Sequence, residues 1–411
     1  MQRKPALQGT PTSRTRGRNE ARSHRVHDVM AAYVERGALP GLVTLIAQGE
    51  DVHVDAIGTL TLDGTDPMQR DTIFRIASMT KPVTAAATML LVEEGTISLS
   101  DPVEQLLPEL ADRRVLKRFD GPVDDTVAAV RPITVQELLT FVLGFGLVFD
   151  PTLPIAQAAA DQGFIVGPPQ PQVPPAPDEW IQRFASLPLM FHPGERWLYN
   201  AGTDILGVLI ARAAKQPFEV LLHDRIFAPL GMKDTGFFVP ADKLDRFATS
   251  YAPNPETGAL EVLDGVAESQ WGRPPAFPSG SAGLVSTVDD YLAFARMLLN
   301  QGTRGDSAIL SADAIARMTT DQLTPAQKAV PAGNFDLLTG RGWGFGLAVA
   351  TTPDELSAVP GRYGWDGGLG TSWMNDPNAG LIAMVMTQSA DFLFTDALPD
   401  FWSAVYQAIA G

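Results

Sequence analysis

Ser78 and Lys81 stand three residues apart at the start of an apolar stretch, "FRIASMTKPVTAAATMLLVEEGTISLSDP", residues 74–102. Residues at i and i+3 share one face of a helix, so the tips of the two side chains can meet. A lysine whose pKa is lowered by burial can take the proton of a serine, which then attacks an acyl carbon. Backbone N–H groups at a helix N-terminus favour a developing oxyanion. The pair therefore indicates covalent acyl transfer.

The spacing alone is weak evidence. The chain has 17 serines and 7 lysines, and chance alone expects about 0.3 Ser-x-x-Lys matches in a chain of this length. A helix cap beside a surface lysine would be the ordinary interpretation. The flanking residues Ile76, Ala77 and 82–91 are largely apolar, which makes this an awkward place to expose a lysine. They favour a buried catalytic pair.

Composition excludes several other kinds of site. The 411 residues are 45% apolar and 19% charged, which is typical of a folded enzyme. A net charge of -16 disfavours nucleic acid as a partner, because phosphates repel an acidic surface. The chain has no cysteine and its five histidines form no i, i+4 pair, so we expect no thiolate nucleophile and no metal site. No serine lies in a G-x-S-x-G motif, so the chain lacks the nucleophile turn that is typical of α/β-hydrolases.

Residues 1–28 form a basic segment that differs from the rest of the chain. It holds seven Lys or Arg residues against two acidic ones. Because it lacks an apolar core, it does not resemble a secretory signal, and we expect a disordered tail. No later stretch is long and apolar enough to span a bilayer. These features predict a cytoplasmic protein without a membrane partner.

Strand patterns lie at both ends of the chain and helical patterns lie between them. Residues 42–62 alternate like a hairpin turned at Gly49 to Asp51, and a second hairpin is expected at Asp376 to Gly380. A helix is expected from about Asn200, which can cap it, and another is expected with Ser286 or Thr287 as its cap. Residues 163–180 contain six prolines and predict an extended loop. That loop is either a surface insertion or a wall of the active site.

This order predicts an α/β (α+β) fold. Residues 29–100 and 285–411 are expected to build one antiparallel sheet lobe flanked by helices. Residues 101–284 are expected to form an inserted, mostly helical lobe that includes the proline-rich loop. A site would then lie in the cleft between the lobes.

The apolar stretch resembles the active-site helix of the serine β-lactamase and penicillin-binding-protein superfamily. Within that superfamily it is closest to the class C-like branch and the family VIII carboxylesterases. Further phrases follow in that superfamily's order from about residue 29 to the end of the chain: "ITVQELLT", "HPGERWLYNAGTDILGVLI", "RIFAPLGMKDTGFF", "SAGLVSTVDDYLAFARMLLNQG" and "WDGGLGTSWMNDP". The resemblance implies a β-lactamase/transpeptidase-like fold.

The resemblance also implies roles for individual residues. Ser78 matches the nucleophile, Lys81 matches its base partner, and Tyr199 matches a catalytic tyrosine that relays protons to or from the leaving group. A cationic lysine nearby is expected to lower the pKa of the Tyr199 phenol. Many relatives have Asn two places after this tyrosine, but here the position is Ala201, which puts one polar substrate contact in doubt.

The third family element is usually Lys-Thr-Gly or His-Thr-Gly, and here it reads Trp365-Asp366-Gly367. These three residues are expected to bind substrate, although Trp365 could equally be an aromatic residue of the core. By position, the N–H of Gly368 is expected to form the oxyanion hole together with that of Ser78.

The changed strand motif indicates the substrate class. It removes a cation that would hold a substrate carboxylate and adds an acidic residue, which favours neutral carboxylic esters over β-lactams and D-alanyl peptides. We expect these esters to be short-chain. We therefore expect a cofactor-independent serine hydrolase with a Ser-Lys-Tyr acyl-enzyme mechanism and a small-molecule ester substrate. Three alternatives remain open: a β-lactamase or D-aminoacyl peptidase, a cytosolic acyltransferase, and a non-catalytic ligand-binding module on the same fold.

Overall fold

The computed structural model describes residues 13–164, 166–305, 307–329 and 336–410. Its helices are α1 (Ser13–Glu35), α2 (Thr80–Glu93), α3 (Val135–Leu139), α4 (Pro154–Asp161), α5 (Pro177–Ala185), α6 (Ala201–Ala214), α7 (Phe218–Leu222), α8 (Ala228–Leu230), α9 (Val288–Leu299), α10 (Ala312–Met318) and α11 (Ala397–Ala410). Its strands are β1 (Gly41–Gln48), β2 (Asp51–Gly58), β3 (Phe74–Arg75), β4 (Arg114–Leu116), β5 (Thr126–Ala128), β6 (Ser250–Pro253), β7 (Leu260–Asp264), β8 (Val285–Ser286), β9 (Thr303–Arg304), β10 (Ser307–Ala308), β11 (Arg341–Trp343), β12 (Ala348–Ala350), β13 (Tyr363–Gly367), β14 (Thr371–Asp376) and β15 (Leu381–Thr387).

Both ends of the chain build one seven-stranded sheet with the strand order β11-β12-β13-β14-β15-β1-β2. All of its neighbouring strands run antiparallel. The two predicted hairpins are present, because β1 pairs with β2 around Gly49 and β14 pairs with β15 around residues 377–380. The predicted α/β fold with an antiparallel sheet is therefore confirmed.

Alternation along β15 divides the apolar residues between the two faces of the sheet. Ile382, Met384 and Met386 belong to the main core on the inner face. Leu381, Ala383 and Val385 pack outward against α1 and α11 in a second core. Because successive strand side chains point to opposite faces, a continuous apolar run is required where both faces are covered.

The first helix begins inside the predicted disordered tail, so the expected end of that tail at residue 28 is wrong. The helix α1 begins at Ser13, and Val26 and Met30 are buried in the core shared with α11. The Tyr33 hydroxyl donates a 2.6 Å hydrogen bond to Asp400 Oδ2 on α11. Residues 24–28 of the predicted disordered tail thus belong to the folded part. Val26 and Met30 lie four residues apart, on one face of the helix, and the charged residues around them obscure this apolar face in the sequence. Residues 1–12 lie outside the described residues.

The proline-rich segment also differs in part from its prediction. Residues 166–176 form a loop, but Pro177 opens α5, so the helix occupies the end of the predicted loop 163–180. Proline is favoured in the first helical turn, where its missing N–H costs nothing. Gln172 fixes the loop, because its Nε2 donates hydrogen bonds to the carbonyls of Gln270 at 2.8 Å and Arg273 at 3.0 Å.

The helices that position the site lie on the inner side of the sheet. α2 is buried along almost its whole length, and it packs against α6 and α10. α2 ends at Glu93, and Gly95 follows with a φ of +70°, a left-handed conformation in which helices commonly end. Among the described residues, no helix is long and apolar enough to cross a membrane.

Candidate active site

Ser78 and Lys81 meet as their spacing predicts. Ser78 lies in a 3-10 turn, Ala77–Met79, that leads directly into α2, and Lys81 lies in the first turn of α2. The Nζ of Lys81 lies 2.9 Å from the Oγ of Ser78. A neutral amine at that distance can accept the serine proton without further movement. The pair is therefore arranged to generate a serine nucleophile.

Lys81 is fully buried, which decides its protonation. Its Nζ donates a 2.8 Å hydrogen bond to the carbonyl of Ser281, and it lies 4.6 Å from the centre of the Tyr199 ring. Burial lowers the pKa of Lys81 to about 7, while the nearby carboxylate of Asp204 partly opposes that shift. A lysine with such a pKa can serve as a base near neutral pH.

The backbone around Ser78 is unusual at the residue before it. Ala77 adopts a φ of +42°, a left-handed conformation that costs a non-glycine residue free energy. This residue opens the short 3-10 turn that contains Ser78. Such strain is typical of functional turns that the surrounding structure enforces.

The end of β13 packs directly against the Ser78 turn. A Cβ atom on Gly367 would lie 2.3 Å from the carbonyl oxygen of Ile76, so only glycine fits there. A Cβ atom on Gly368 would meet nothing within 4 Å. The strand thus approaches closely at Gly367 and leaves open space beside Gly368. This arrangement is compatible with an oxyanion site between the N–H groups of Ser78 and Gly368.

Tyr199 lies beside the pair, although 118 residues separate it from Lys81 in the sequence. The tyrosine precedes α6, and its carbonyl accepts a 2.8 Å hydrogen bond from the N–H of Leu147. Asn200, which we expected to cap α6, instead adopts a φ of +94° and makes no capping hydrogen bond through its side chain. The turn at Asn200 directs the tyrosine into the site rather than closing the helix end.

The pKa of Tyr199 moves in the direction opposite to the one expected from a neighbouring lysine. Burial raises the pKa of the Tyr199 phenol, and hydrogen bonds with Ser78 and Trp365 only partly oppose this effect. The reason is that the phenol is enclosed and its lysine neighbour is itself often neutral. Tyr199 is therefore a protonated acid near neutral pH and not a phenolate base.

Trp365 is buried beside Tyr199 and does not only line open substrate space. Its indole Nε1 donates a 2.7 Å hydrogen bond to the hydroxyl of Tyr199, and only 7% of the residue is exposed. Its ring packs at 88° and 4.8 Å against the ring of Trp343. The side chain belongs to an aromatic cluster that surrounds Tyr199, formed by Phe141, Trp197, Trp343 and Trp365.

Asp366 faces away from Trp365. Its carboxylate accepts a 2.5 Å hydrogen bond from Ser372 Oγ, which in turn accepts one from the indole of Trp402 on α11. Arg341 lies 3.9 Å from the same carboxylate. Burial raises the pKa of Asp366, and Arg341 and Ser372 oppose that shift. Its charge therefore acts on the site only from a distance, and its side chain does not join Ser78, Lys81 and Tyr199.

Asp204 is a residue of the site that the sequence analysis missed. It lies in the first turn of α6, five residues after Tyr199, and it is near enough to affect the pKa of Lys81. Its carboxylate accepts a 2.6 Å hydrogen bond from the hydroxyl of Ser281. The available signal was an acidic residue at the start of an otherwise apolar helix, within "YNAGTDILG".

Comparison with known proteins identifies the family of the chain. The Beta-lactamase family matches residues 26–401 of the chain. The chain is 32% identical to esterase EstB of Burkholderia gladioli over 86% of both chains, and 31% identical to the lovastatin esterase of Penicillium rubens over 92% of this chain and 96% of that one. The solved structure of EstCE1, a hydrolase with promiscuous acyltransferase activity, superposes with a TM-score of 0.75 at 25% identity, covering 94% of this chain and 99% of that one.

The family match covers most of the chain, and two esterase relatives exceed 30% identity over most of their length. The chain therefore belongs to the beta-lactamase family and is a serine hydrolase of that family.

Proposed function

We propose that this protein is a carboxylesterase that hydrolyses neutral, short-chain esters through an acyl-enzyme on Ser78. The observation that carries the proposal is the buried Lys81 amine, with a pKa of about 7, placed 2.9 Å from Ser78 Oγ. The esterase relatives support the same reaction class. The proposed substrate class rests on the chemistry of Trp365 and Asp366 at the end of β13.

Trp365 occupies the position at which related enzymes carry a cation for a substrate carboxylate. An indole offers no positive charge, and this one is already bonded to Tyr199. Asp366 adds negative charge at longer range, although Arg341 partly balances it. An anionic β-lactam or peptide would therefore lose a favourable interaction, whereas a neutral ester would lose nothing.

The proposed reaction has two steps. Lys81 takes the Ser78 proton as Oγ bonds to the ester carbonyl carbon, and the N–H groups of Ser78 and Gly368 stabilise the oxyanion. The intermediate collapses as Tyr199 protonates the leaving alcohol oxygen, and the proton on Lys81 then restores the phenol. Water next attacks the acyl carbon and gives a proton to Lys81, and Tyr199 protonates Ser78 Oγ as its bond to the acyl group breaks. The proton on Lys81 restores the phenol, and the carboxylic acid and free Ser78 are released.

A panel of p-nitrophenyl esters of increasing acyl length, run beside nitrocefin, tests this function. We expect the highest kcat/KM for short acyl chains, with slow or absent turnover of nitrocefin. Faster steady turnover of nitrocefin than of every ester would contradict the proposal and favour a β-lactamase. The panel is also run on the variant Ser78→Ala. Its matched control is Ser100→Ala, because Ser100 is exposed.

An acyltransferase is the second candidate. It is favoured by the similarity to EstCE1, whose structure is described as that of a hydrolase with promiscuous acyltransferase activity. A transferase would pass the acyl group to an added alcohol faster than to water. Product analysis in the presence of an alcohol acceptor separates the two functions, since ester exchange that outruns hydrolysis identifies a transferase.

A further inference from the structure

Asp204 collects three hydrogen bonds from one short turn of the chain. Its Oδ1 accepts from Ser279 Oγ at 2.7 Å and from the backbone N–H of Ser281 at 3.1 Å. Its Oδ2 accepts from Ser281 Oγ at 2.6 Å. A carboxylate that accepts several donors is well satisfied as an anion inside a protein. Asp204 therefore holds residues 279–281 against the start of α6.

The same turn holds Lys81. The carbonyl of Ser281 accepts a 2.8 Å hydrogen bond from Lys81 Nζ. The turn has little freedom to move, because a Cβ atom on Gly280 would lie 2.3 Å from the carbonyl of Thr203. The Thr84 hydroxyl on α2 donates a 2.7 Å hydrogen bond to the carbonyl of Gly280. One continuous set of contacts thus joins Asp204 to the amine that faces Ser78.

We propose that Asp204 is a positioning residue for Lys81: it fixes the 279–281 turn that holds the amine, and its charge stabilises the ammonium that forms when Ser78 is deprotonated. This inference deepens the proposed function and rests on its Ser78–Lys81 chemistry. Asp204 touches no reacting atom and acts through Ser281 and through its electric field.

The groups that face Lys81 support this role. They are the Ser78 hydroxyl, the ring of Tyr199, the carbonyl of Ser281 and, at longer range, the Asp204 carboxylate. Among these four groups Asp204 is the only carboxylate, and its charge raises the pKa of Lys81 against the lowering caused by burial. Burial raises the pKa of Asp204 itself, while the Ser281 and Ser279 hydrogen bonds and Lys81 lower it.

Replacement by asparagine removes the charge but keeps the shape. Without the anion, the protonated form of Lys81 loses its stabilisation, so its pKa falls and Lys81 becomes neutral at lower pH. In Asp204→Asn the acid limb of the activity profile should therefore move about one pH unit lower. Asp204→Ala also leaves the turn without its acceptors, so the reactivity of Ser78 should fall about tenfold or more on the plateau.

The test measures the rate of Ser78 labelling by a fluorophosphonate between pH 5 and 9, which depends on the nucleophile and not on the natural substrate. Wild type, Asp204→Asn, Asp204→Ala and Asp290→Asn are compared, with a thermal melt of each. Asp290 on α9 is the matched control, because it is a buried carboxylate that accepts hydrogen bonds from the backbone N–H of Asp234 and the hydroxyl of Thr235. Its variant should keep the wild-type acid limb.

The outcomes separate this inference from the proposed function. An acid limb of Asp204→Asn that coincides with that of wild type overturns the inference, as does an equal shift in Asp290→Asn or a failure to label Ser78 in wild type. A wild-type enzyme that is labelled at Ser78 and shows the expected shift, yet hydrolyses no ester in the panel, would support the role of Asp204 while contradicting the proposed substrate class.

Discussion

The indole Nε1 of Trp365 donates a 2.7 Å hydrogen bond to the hydroxyl oxygen of Tyr199. An indole nitrogen can only donate, so the phenol oxygen must accept this bond and keeps its own proton for another partner. The same bond stabilises the phenolate that would form once Tyr199 protonates a leaving group. In the proposed reaction, this neutral donor would support Tyr199 as the acid that protonates the leaving alcohol.

Trp365→Phe should therefore weaken proton transfer more than substrate binding. We expect kcat for alkyl esters to fall about ten- to a hundredfold with little change in KM, because the forming phenolate loses its donor. Esters of p-nitrophenol should lose much less, since their leaving group needs no proton. Trp197→Phe is the control, because the Nε1 of Trp197 finds no acceptor among the described residues. Equal losses for both ester classes would contradict this role.

The pKa of Lys81 predicts the pH dependence of the reaction. Lys81 must be neutral to accept the Ser78 proton, and burial lowers its pKa to about 7. The value of kcat/KM should therefore rise about tenfold per pH unit below pH 7 and level off above it. Initial rates between pH 5 and 9, with the fold monitored by circular dichroism, measure this profile. A flat profile between pH 5 and 7 would be inconsistent with a lysine base.

Lys81 should also cost stability, because its ammonium form is buried. The folded state holds the pKa near 7, below the ordinary value of 10.5. Between these two values the unfolded chain binds more protons than the folded one, so stability rises with pH across this window and is lost as pH falls to 7. Lys81→Met should abolish activity and raise the melting temperature at pH 7, with a smaller gain at pH 10.

The control for that variant is Lys117→Met, since the Lys117 side chain is 53% exposed. Its melting temperature relative to wild type should change little with pH. If Lys81→Met melts below wild type at pH 7, the hydrogen bonds of the amine outweigh the cost of its burial, and the predicted direction is wrong.

Gly367 and Gly368 should respond differently to alanine. A Cβ atom on Gly367 would collide with the backbone of Ile76 and with Thr371 Oγ1, whereas one on Gly368 would enter open space. Gly367→Ala should lower the melting temperature and separate β13 from the Ser78 turn. Gly368→Ala should melt like wild type but raise KM, because the new methyl group enters the substrate space. Equal melting temperatures for the two variants would contradict the close approach at Gly367.

The spacing of Ser78 and Lys81 in the sequence was sufficient to predict that their side chains meet. Ser78 and Lys81 face each other because they are one helical turn apart. The position of Tyr199 depends on a fold-level contact across more than a hundred residues, so only the resemblance to a known family indicated it. Strand alternation could have shown that Trp365 and Asp366 face opposite sides, because neighbouring strand residues must do so.

Other features could not be predicted because they depend on distant partners. The partners of Asp204 lie 75 and 77 residues further along the chain, in a turn with no helical or strand pattern. Asn200 has a φ of +94°, which its residue type does not indicate, since asparagine is normally a good helix cap. The start of α1 was also not predicted, because its few apolar residues lie among charged ones and their partners lie on α11 at the other end of the chain.

The most direct test of the central claim is the hydrolysis of p-nitrophenyl butyrate by Ser78→Ala, compared with wild type and Ser100→Ala. The account predicts that Ser78→Ala loses at least about a thousandfold in kcat while keeping the wild-type melting temperature, and that Ser100→Ala remains fully active. Unchanged hydrolysis by Ser78→Ala would show that Ser78 is not the nucleophile.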